Sequence, residues 1–319
     1  MTHRFEKMAI VGAGLVGAGW AIVFARAGQS VAIYDSEYTA RASVMDWIAV
    51  SLSEMSRCGL VSDVPGIMSR IRVSDSLEDA LAEADYIQES VYERADVKRA
   101  ISHAIGTAMR DEAIVGSSSS GIPASEFTSD VPKRERFIIA HPVNPPHLIP
   151  LVEIVPAPWT DPSIASALRG FMESVGQKPI VLRREIVGFV LNRLQGALLN
   201  EAWALFDAGI ASAADIDRSV SDGLGMRWSF MGPFETIDLN APGGVTDYAE
   251  RFGKLYHSIA MDRQHPKRWS SDLIARVAAE RREALPIADL ASRCEWRDKI
   301  LMDLAADRTL KQMEHGKDA

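Results

Sequence analysis

The chain has 319 residues, more than one hydrophobic core of ordinary size accommodates, so two domains are expected. Hydrophobic residues make up 47% of it and charged residues 24%, as in soluble globular proteins. The formal net charge of −8 argues against nucleic acid and against an anionic membrane surface as partners.

Cysteine usage and hydropathy predict the compartment. The two cysteines, Cys58 and Cys294, lie far apart and lack a metal-ligand spacing, which favours a reducing compartment and no metal site. No apolar run is long enough to span a bilayer, and the first residues lead directly into a strand-like run without room for a signal peptide. We therefore expect a cytoplasmic protein without a membrane partner.

The first predicted element is a buried parallel strand, Met8–Val11, which leads into a glycine-rich turn. The turn matches G-x-G-x-x-G and consists of Gly12, Ala13, Gly14, Leu15, Val16 and Gly17. A predicted helix over Val16–Ala27 and a predicted strand over Ser30–Tyr34 follow, and Asp35 comes next. This order of strand, motif, helix, strand and carboxylate is typical of dinucleotide binding, with the pyrophosphate at the helix N-terminus.

Asp35 indicates which dinucleotide binds. Its carboxylate is expected to bind the adenosine ribose hydroxyls, and it would repel a 2′-phosphate. No arginine follows directly, so the predicted cofactor is NAD rather than NADP. The alternative is that Asp35 is the N-cap of the next helix.

The following segments alternate between strands and helices up to residue 182. The predicted helices are Thr39–Cys58, Leu77–Ala84 and Ala95–Met109, and the predicted strands are Ile71–Val73, Asp85–Glu89, Ala113–Gly116 and Lys178–Leu182. This alternation predicts an α/β fold with a doubly wound, mostly parallel Rossmann sheet. Ligands of such sheets bind beyond the carboxyl ends of the strands, where Glu89, Glu93 and the serine run Ser117–Ser120 are expected to meet.

The stretch from Phe137 to Pro156 carries the main candidate for acid–base chemistry. One apolar run ends at His141, and the next contains Glu153. A histidine at a strand end beside a carboxylate on an adjoining strand is the arrangement of a general base and its orienting group. His147, which follows the prolines, is the alternative histidine.

The chain beyond residue 184 has helical periodicity and no strand pattern. We predict a Rossmann domain over residues 1–184 and an all-α domain for substrate binding and dimerisation over residues 185–319. A long helix is predicted over Phe189–Ala208, with Asn192 in its first turn, and further helices over Ala213–Gly223, Tyr248–Ile259, Ser271–Ala284 and Ile287–Leu310.

Taken in order, the motifs resemble the 3-hydroxyacyl-CoA dehydrogenase superfamily over nearly the whole chain. They are GAGLVG, Asp35, Glu93 with Lys98, SSSSG, HPVNP, LVEIV, GFVLNRL and MGPFE. Within the superfamily they resemble most the branch of L-gulonate 3-dehydrogenases and lambda-crystallins, and the L-carnitine dehydrogenase branch is the nearest alternative.

The resemblance implies a role for each matching residue. His141 is the general base, Glu153 orients it, and Ser120 binds the reacting oxygen. Asn192 assists substrate placement, and Glu93 and Lys98 contact the cofactor. The family often has Asn-Thr-Ser-Ser where this chain has Ser118–Gly121, which leaves the register of the catalytic serine open.

The distribution of cations bears on the substrate. No lysine occurs between Lys7 and Lys98, where the family receives the phosphorylated CoA handle, so a small free 3-hydroxy acid is favoured over an acyl-CoA. Arg227 is a candidate partner for its carboxylate, whereas carnitine would call for an aromatic cage that Trp228 and Phe230 can supply. A non-catalytic NADH-binding crystallin is the alternative of another class. The apolar faces of the α-domain, together with the resemblance, predict a homodimer.

Overall fold

The computed structural model describes residues 5–265 and 267–315. The chain forms two compact units, one made of the residues up to Arg193 together with Arg297–Lys311, and the other containing Leu194–Trp296. Within the described part, no helix is long and apolar enough to cross a membrane.

An eight-stranded sheet organises the first unit. Its strands are β1 (Lys7–Val11), β2 (Ser30–Tyr34), β3 (Ile71–Val73), β4 (Tyr86–Glu89), β5 (Ile114–Ser117), β6 (Phe137–Pro142), β7 (Leu151–Pro156) and β8 (Lys178–Val181). Their order across the sheet is β3-β2-β1-β4-β5-β6-β7-β8, and every neighbouring pair is parallel except β6 and β7. The predicted doubly wound, mostly parallel sheet is confirmed.

The strand register brings the candidate residues to one edge. Val11, Glu89 and Ser117 are aligned at the carboxyl ends of β1, β4 and β5. His141 and Glu153 lie directly opposite each other on the antiparallel strands β6 and β7. Directly opposite residues of an antiparallel pair have neighbouring side chains, so the sheet itself joins histidine and carboxylate.

Six complete helices pack in the first unit. They are α1 (Leu15–Arg26), α2 (Tyr38–Arg57), α3 (Val64–Ser69), α4 (Leu77–Leu81), α5 (Ala95–Ala108) and α6 (Pro162–Ser174). Helix α1 is apolar on all sides and is buried from Gly17 to Ala25, as expected of a helix enclosed by sheet and neighbouring helices.

The second unit contains helices and no strand among its described residues. Its helices are α7 (Leu191–Asp207), which begins in the first unit, α8 (Ala213–Arg218), α9 (Gly225–Trp228), α10 (Pro233–Asp238), α11 (Gly244–Met261), α12 (Ser271–Ala284) and α13 (Leu290–His315), whose residues 297–311 belong to the first unit. Between residues 194 and 296, only three described residues are buried, namely Thr236, Ala241 and Leu273. This unit therefore has almost no core of its own.

The helices α3, α6, α9 and α10 were not predicted, and several predicted helices have other bounds in the structure. Helix α7 begins at Leu191 rather than Phe189, because Phe189 has a φ of +50° and ends a left-handed turn instead of starting the helix. The predicted helix Ala213–Gly223 is α-helical only to Arg218 and continues as a π-helical turn over Ser219–Leu224.

The first unit also extends past the predicted boundary at residue 184. Phe189 is fully buried among apolar side chains of this unit, and the next two backbone N–H groups bind Glu153 of β7. These contacts tie residues 185–193 to the sheet.

Candidate active site

The turn between β1 and α1 forms a cradle for a dinucleotide phosphate. A Cβ on Gly12, whose φ is +111°, would lie 2.5 Å from the Ser90 carbonyl oxygen, and one on Gly17 would lie 1.9 Å from the Gly12 carbonyl oxygen. Gly14 has no atom within 4 Å of its Cβ position, and no side chain caps the helix that begins at Leu15. The open space and the free N–H groups of the first helical turn fit a pyrophosphate.

Asp35 lies beside this cradle, just after β2. Its carboxylate accepts hydrogen bonds from the backbone N–H of Ala13 at 2.7 Å and of Glu37 at 2.8 Å. The N-cap of α2 is Glu37, so the alternative that Asp35 caps this helix is wrong. The nearby guanidinium of Arg41 lies over two tyrosine rings and donates to the carbonyl oxygen of Asp35.

Two clefts open at this edge of the sheet, with volumes of about 1350 and 370 Å³. The larger is lined by the motif residues Gly14, Leu15 and Val16 and by Asn144, and both clefts border Asp35. Their other charged lining residues are all acidic, namely Glu37, Asp96, Asp75 and Glu78. Among the described residues, no lysine or arginine lines either cleft.

Lys98 forms a buried ion pair in the first unit. Its ammonium lies 3.0 Å from Oε1 of Glu89, and both side chains are 1% exposed. Glu93 is 3.4 Å away on the other side. The Ser117 hydroxyl and the Val91 N–H also donate to Glu89. Lys98 is thus held inside the unit, and its contact with the cofactor stays a prediction.

Glu93 organises the turn that carries Ser120. Its Oε1 accepts hydrogen bonds from the Ser119 hydroxyl at 2.9 Å and from the backbone N–H of Ser120 and Gly121 at 2.8 and 3.1 Å. Burial alone would raise the pKa of the Glu93 carboxyl, but the charge of Lys98 and these hydrogen bonds outweigh burial and hold the pKa below its ordinary value. The carboxylate is therefore ionised and acts only as an acceptor.

The four serines of the run differ in how their hydroxyls are used. Ser117 and Ser119 are buried and donate to Glu89 and Glu93. The hydroxyl of Ser118 is within 2.8 Å of both Gln88 and Ser90. Ser120 is partly exposed, and its hydroxyl has one contact of 3.2 Å, to Glu93. Its hydroxyl is accordingly the least committed to internal bonds.

His141 and Glu153 form a buried pair. Nδ1 of His141 lies 2.8 Å from Oε2 of Glu153, and the residues are 7% and 0% exposed. Burial alone would raise the pKa of the Glu153 carboxyl, but hydrogen bonds from His141, Leu191 and Val190 outweigh it and hold the pKa below its ordinary value. The ionised carboxylate can only accept, so Nδ1 carries the proton and Nε2 of the neutral ring has a free lone pair.

The start of α7 connects this pair to the serine turn. The N–H groups of Val190 and Leu191 donate to Oε1 of Glu153 at 2.8 and 3.0 Å. The side-chain amide of Asn192, the next residue, donates to the backbone oxygen of Ser120. Hydrogen bonds and the backbone of residues 190–192 thus join the four predicted catalytic residues, all within the first unit.

The alternative histidine is a buried residue of the first unit, and the candidate arginine belongs to the second unit. His147 is 5% exposed, packs edge-on against Trp47, and its Nδ1 has no hydrogen-bond partner among the described residues. Burial, reinforced by the charge of Arg26, lowers the pKa of His147 to about 4, so it is a neutral packing residue at neutral pH. Arg227 lies on α9 in the second unit, where it is exposed.

Sequence reasoning missed three features of the site. Glu89 was expected near the strand ends without a role, yet it is the counterion of Lys98. Asn144 lines the larger cleft. The N–H groups of Val190 and Leu191 depend on a turn that side-chain patterns do not reveal. In the part of the chain that the structure describes, no cluster of three or more His, Cys, Asp or Glu side chains could hold a metal ion.

Comparison with protein-family models identifies the two parts of the chain. Residues 7–186 match the model "3-hydroxyacyl-CoA dehydrogenase, NAD binding domain", and residues 188–283 match "3-hydroxyacyl-CoA dehydrogenase, C-terminal domain". A solved structure of 5-formyl-3-hydroxy-2-methylpyridine 4-carboxylic acid 5-dehydrogenase, an NAD⁺-dependent dismutase, superposes with a TM-score of 0.82 at 26% identity, covering 96% of this chain and 98% of that one.

Curated relatives cover nearly the whole chain. A 3-hydroxyacyl-CoA dehydrogenase of Gibberella moniliformis is 36% identical, with 96% of both chains covered. Lambda-crystallin of Oryctolagus cuniculus is 37% identical over 93% of this chain and 94% of the relative, and an L-carnitine dehydrogenase of Streptomyces griseus is 33% identical over 94% and 89%. Since the nucleotide cradle and both family models agree, the chain belongs to the 3-hydroxyacyl-CoA dehydrogenase family and is an NAD-dependent oxidoreductase.

Proposed function

We propose that the protein oxidises the 3-hydroxyl of a small free hydroxy acid, L-gulonate, to 3-dehydro-L-gulonate, with His141 as general base. The observation that carries the proposal is the bond between Nδ1 of His141 and the ionised Glu153, which leaves Nε2 free to accept a proton. When bound, NAD⁺ supplies the hydride acceptor. Glu93 and Lys98, whose charged groups lie 3.4 Å apart, are proposed to contact it.

The chain's own residues handle the proton and the reacting oxygen. Nε2 of His141 takes the hydroxyl proton, and the imidazolium that forms is stabilised by Glu153 through Nδ1. The Ser120 hydroxyl binds the same substrate oxygen, and Asn192 fixes the serine turn through the Ser120 carbonyl oxygen while assisting substrate placement. The buried position of Glu153 strengthens its interaction with the imidazolium because water screens it poorly.

The absence of lysine and arginine from the described lining of both clefts argues against an acyl-CoA. A CoA handle carries several phosphate charges, which lysine and arginine ordinarily neutralise. Helix α2 contains only two cations, Arg41 and Arg57; Arg41 lies over tyrosine rings, and Arg57 is paired with Glu54. The acyl-CoA alternative is favoured by the name of the Gibberella relative and by the descriptions of both matching family models.

Arg227 is the proposed partner of the substrate carboxylate. Among the described residues it forms no ion pair, whereas Arg251, Arg263 and Arg281 of the same unit each bind a carboxylate. An unpaired guanidinium can bind a carboxylate through two parallel hydrogen bonds. L-carnitine is the second candidate substrate, because Trp228 and Phe230 are 40% and 65% exposed beside Arg227 and suit a quaternary ammonium.

A single panel of assays separates the candidates. Reduction of NAD⁺ is followed with L-gulonate, L-carnitine and a 3-hydroxyacyl-CoA, using wild-type protein and Arg227→Met. We expect turnover of L-gulonate, with an increase in its KM of about 100-fold in the variant from the lost charged hydrogen bonds. Faster turnover of either other substrate would reject the gulonate assignment, and NADH binding without any turnover would favour the non-catalytic crystallin.

We also propose that the protein is a homodimer joined through its helical unit. That unit buries only three described residues between 194 and 296, while it exposes large apolar side chains, among them Phe234 (79%), Leu239 (68%), Leu255 (53%) and Ile259 (42%). Monomers rarely leave so much apolar surface in water. A second copy of the chain presents an identical face and so has matching apolar surface.

A further inference from the structure

Two consecutive left-handed residues precede α7. Gly188 has a φ of +76° and Phe189 a φ of +50°. Glycine adopts this conformation readily, but a bulky residue seldom does, because its Cβ approaches the following carbonyl oxygen. Such an outlier persists only where the surrounding structure requires it. The role of Phe189 therefore calls for an explanation beyond apolar burial.

The turn aims the backbone at the catalytic pair. Directly after Phe189, the N–H groups of Val190 and Leu191 both point to Oε1 of Glu153, at 2.8 and 3.0 Å. An extended or helical Phe189 would direct these two groups elsewhere, because φ sets the direction of the chain that follows. The conformation of Phe189 thus fixes one oxygen of Glu153 and leaves the other for His141.

The ring of Phe189 contacts the same pair from another side. It is fully buried, and its centroid lies 5.8 Å from that of the His141 ring at an interplanar angle of 54°. Phe127 belongs to the same apolar cluster, but no ring contact joins it to His141 among the described residues. The Phe189 ring is therefore the buried aromatic neighbour of the imidazole in this cluster.

We propose that Phe189 is a positioning residue, which holds Glu153 through its left-handed backbone and His141 through its ring. One short segment, Gly188–Asn192, then sets the distance between the base and the Ser120 turn, since Asn192 binds the Ser120 oxygen. The effect on turnover rests on the proposed function. The effect on the hydrogen bond between His141 and Glu153 does not.

Two substitutions that both remove the ring distinguish the effect of the backbone conformation from the effect of the side chain. Phe189→Gly permits the left-handed turn, and Phe189→Val opposes it because valine is β-branched. Phe127→Leu is the matched control for loss of a buried aromatic ring. In protein labelled with ¹⁵N-histidine, NMR detects the Nδ1 proton of His141 as a downfield resonance, assigned by its absence in His141→Gln.

We expect Phe189→Val to lose this resonance. Its kcat should fall about 100-fold because the catalytic group is misplaced, while KM for NAD⁺ stays unchanged. Phe189→Gly should retain the resonance, and its kcat should fall about tenfold. Phe127→Leu should lower only the melting temperature. If Phe189→Val does not fold, Phe189→Ala takes its place, because alanine also disfavours positive φ.

Retention of the resonance and of kcat in Phe189→Val would reduce Phe189 to a core residue and overturn the proposal. Loss of the resonance in Phe127→Leu as well would overturn it too. If wild-type protein turns over no substrate, the proposed function fails, while the NMR comparison still decides whether Phe189 positions the pair.

Discussion

Glu153 shows how one side chain can satisfy two demands. Its Oε1 accepts two backbone N–H groups from the start of α7, and its Oε2 accepts Nδ1 of His141. A buried carboxylate without partners would be costly, whereas three donors offset the cost and keep it ionised. The same donors fix its orientation, so the imidazole is held in one tautomer.

Replacement of either partner should lower turnover and spare the cofactor. We expect His141→Gln and Glu153→Ala to reduce kcat about 100-fold or more, the usual contribution of a general base. NADH affinity, measured by fluorescence titration, should stay unchanged because neither residue belongs to the glycine-rich turn. The exposed His103, replaced by Gln, is the control. Turnover near the wild-type rate in both variants would remove His141 from the mechanism.

His147 should make stability depend on pH. Its pKa in the folded protein is about 4, below the ordinary 6.5, so the unfolded chain binds a proton over this interval that the folded chain does not. Stability is therefore lost as pH falls from about 6.5 to about 4, by roughly 3 kcal/mol from this group.

The variant His147→Gln isolates this contribution. Urea unfolding of wild type and variant from pH 7 to pH 4 should show a steeper loss in the wild type by the amount given above. Parallel losses in the two proteins would contradict the assignment of this proton uptake to His147.

At the scale of elements, the glycines of the turn between β1 and α1 have different roles, one in packing and another in cofactor binding. A Cβ on Gly17 would meet the Gly12 carbonyl oxygen, whereas one on Gly14 meets nothing in the protein. We expect Gly17→Ala to lower both the melting temperature and NADH affinity. Gly14→Ala should keep the melting temperature but lose NADH affinity, since its methyl group occupies the phosphate position. Equal effects in calorimetry and NADH titration would contradict this division.

Loss of Lys98 alone should destabilise the protein more than loss of both charges of the ion pair between α5 and β4. Lys98→Met leaves Glu89 buried without its counterion and should cost about 3–5 kcal/mol in the free energy of unfolding. The double variant Lys98→Met, Glu89→Gln should recover most of this loss, because the amide oxygen can accept from the Val91 N–H while the amide NH₂ donates to the Ser117 hydroxyl. Urea unfolding measures both, and a double variant less stable than Lys98→Met would refute the account.

The sequence predicted elements whose signal is periodic and missed those that depend on backbone angles. The buried strands and the glycine-rich turn were located because apolar runs and motif spacing are visible in the residues. The helix α6 is an exception, since it went unpredicted although Asp161 and Pro162 are helix start signals and its apolar residues recur at helical spacing. Phe189 was assigned to α7, since nothing in the order of side chains reveals a positive φ there. The contact of His141 with Glu153 was predicted, but the backbone N–H groups that donate to Oε1 of Glu153 were not.

At the scale of the whole molecule, the exposed apolar side chains of the helical unit lead us to expect that two copies of the chain associate through this unit. The variant Ile259→Glu places a charge on α11 and should convert a dimer into monomers, as measured by sedimentation equilibrium. Val50→Glu, at an exposed apolar position of α2 in the first unit, is the control and should leave the dimer intact. A wild-type monomer, or equal dissociation in both variants, would refute the proposed interface.

The division of the chain into two parts was visible from the sequence as a change from alternating elements to helices alone. The contribution of α13 to the first unit was not visible, because amphipathic periodicity does not say which surface a helix covers. Residues 297–311 belong to that unit, and Met302, only 3% exposed, is part of its largest apolar cluster.

The position of Met302 has a consequence for how the chain folds during its synthesis. Synthesis proceeds from the N-terminus, and domains ordinarily fold as they emerge from the ribosome. Here the nucleotide-binding unit lacks Met302 and its neighbour Leu301 until the whole helical unit has been translated. The apolar cluster of the first unit is therefore complete only after α13 has been made.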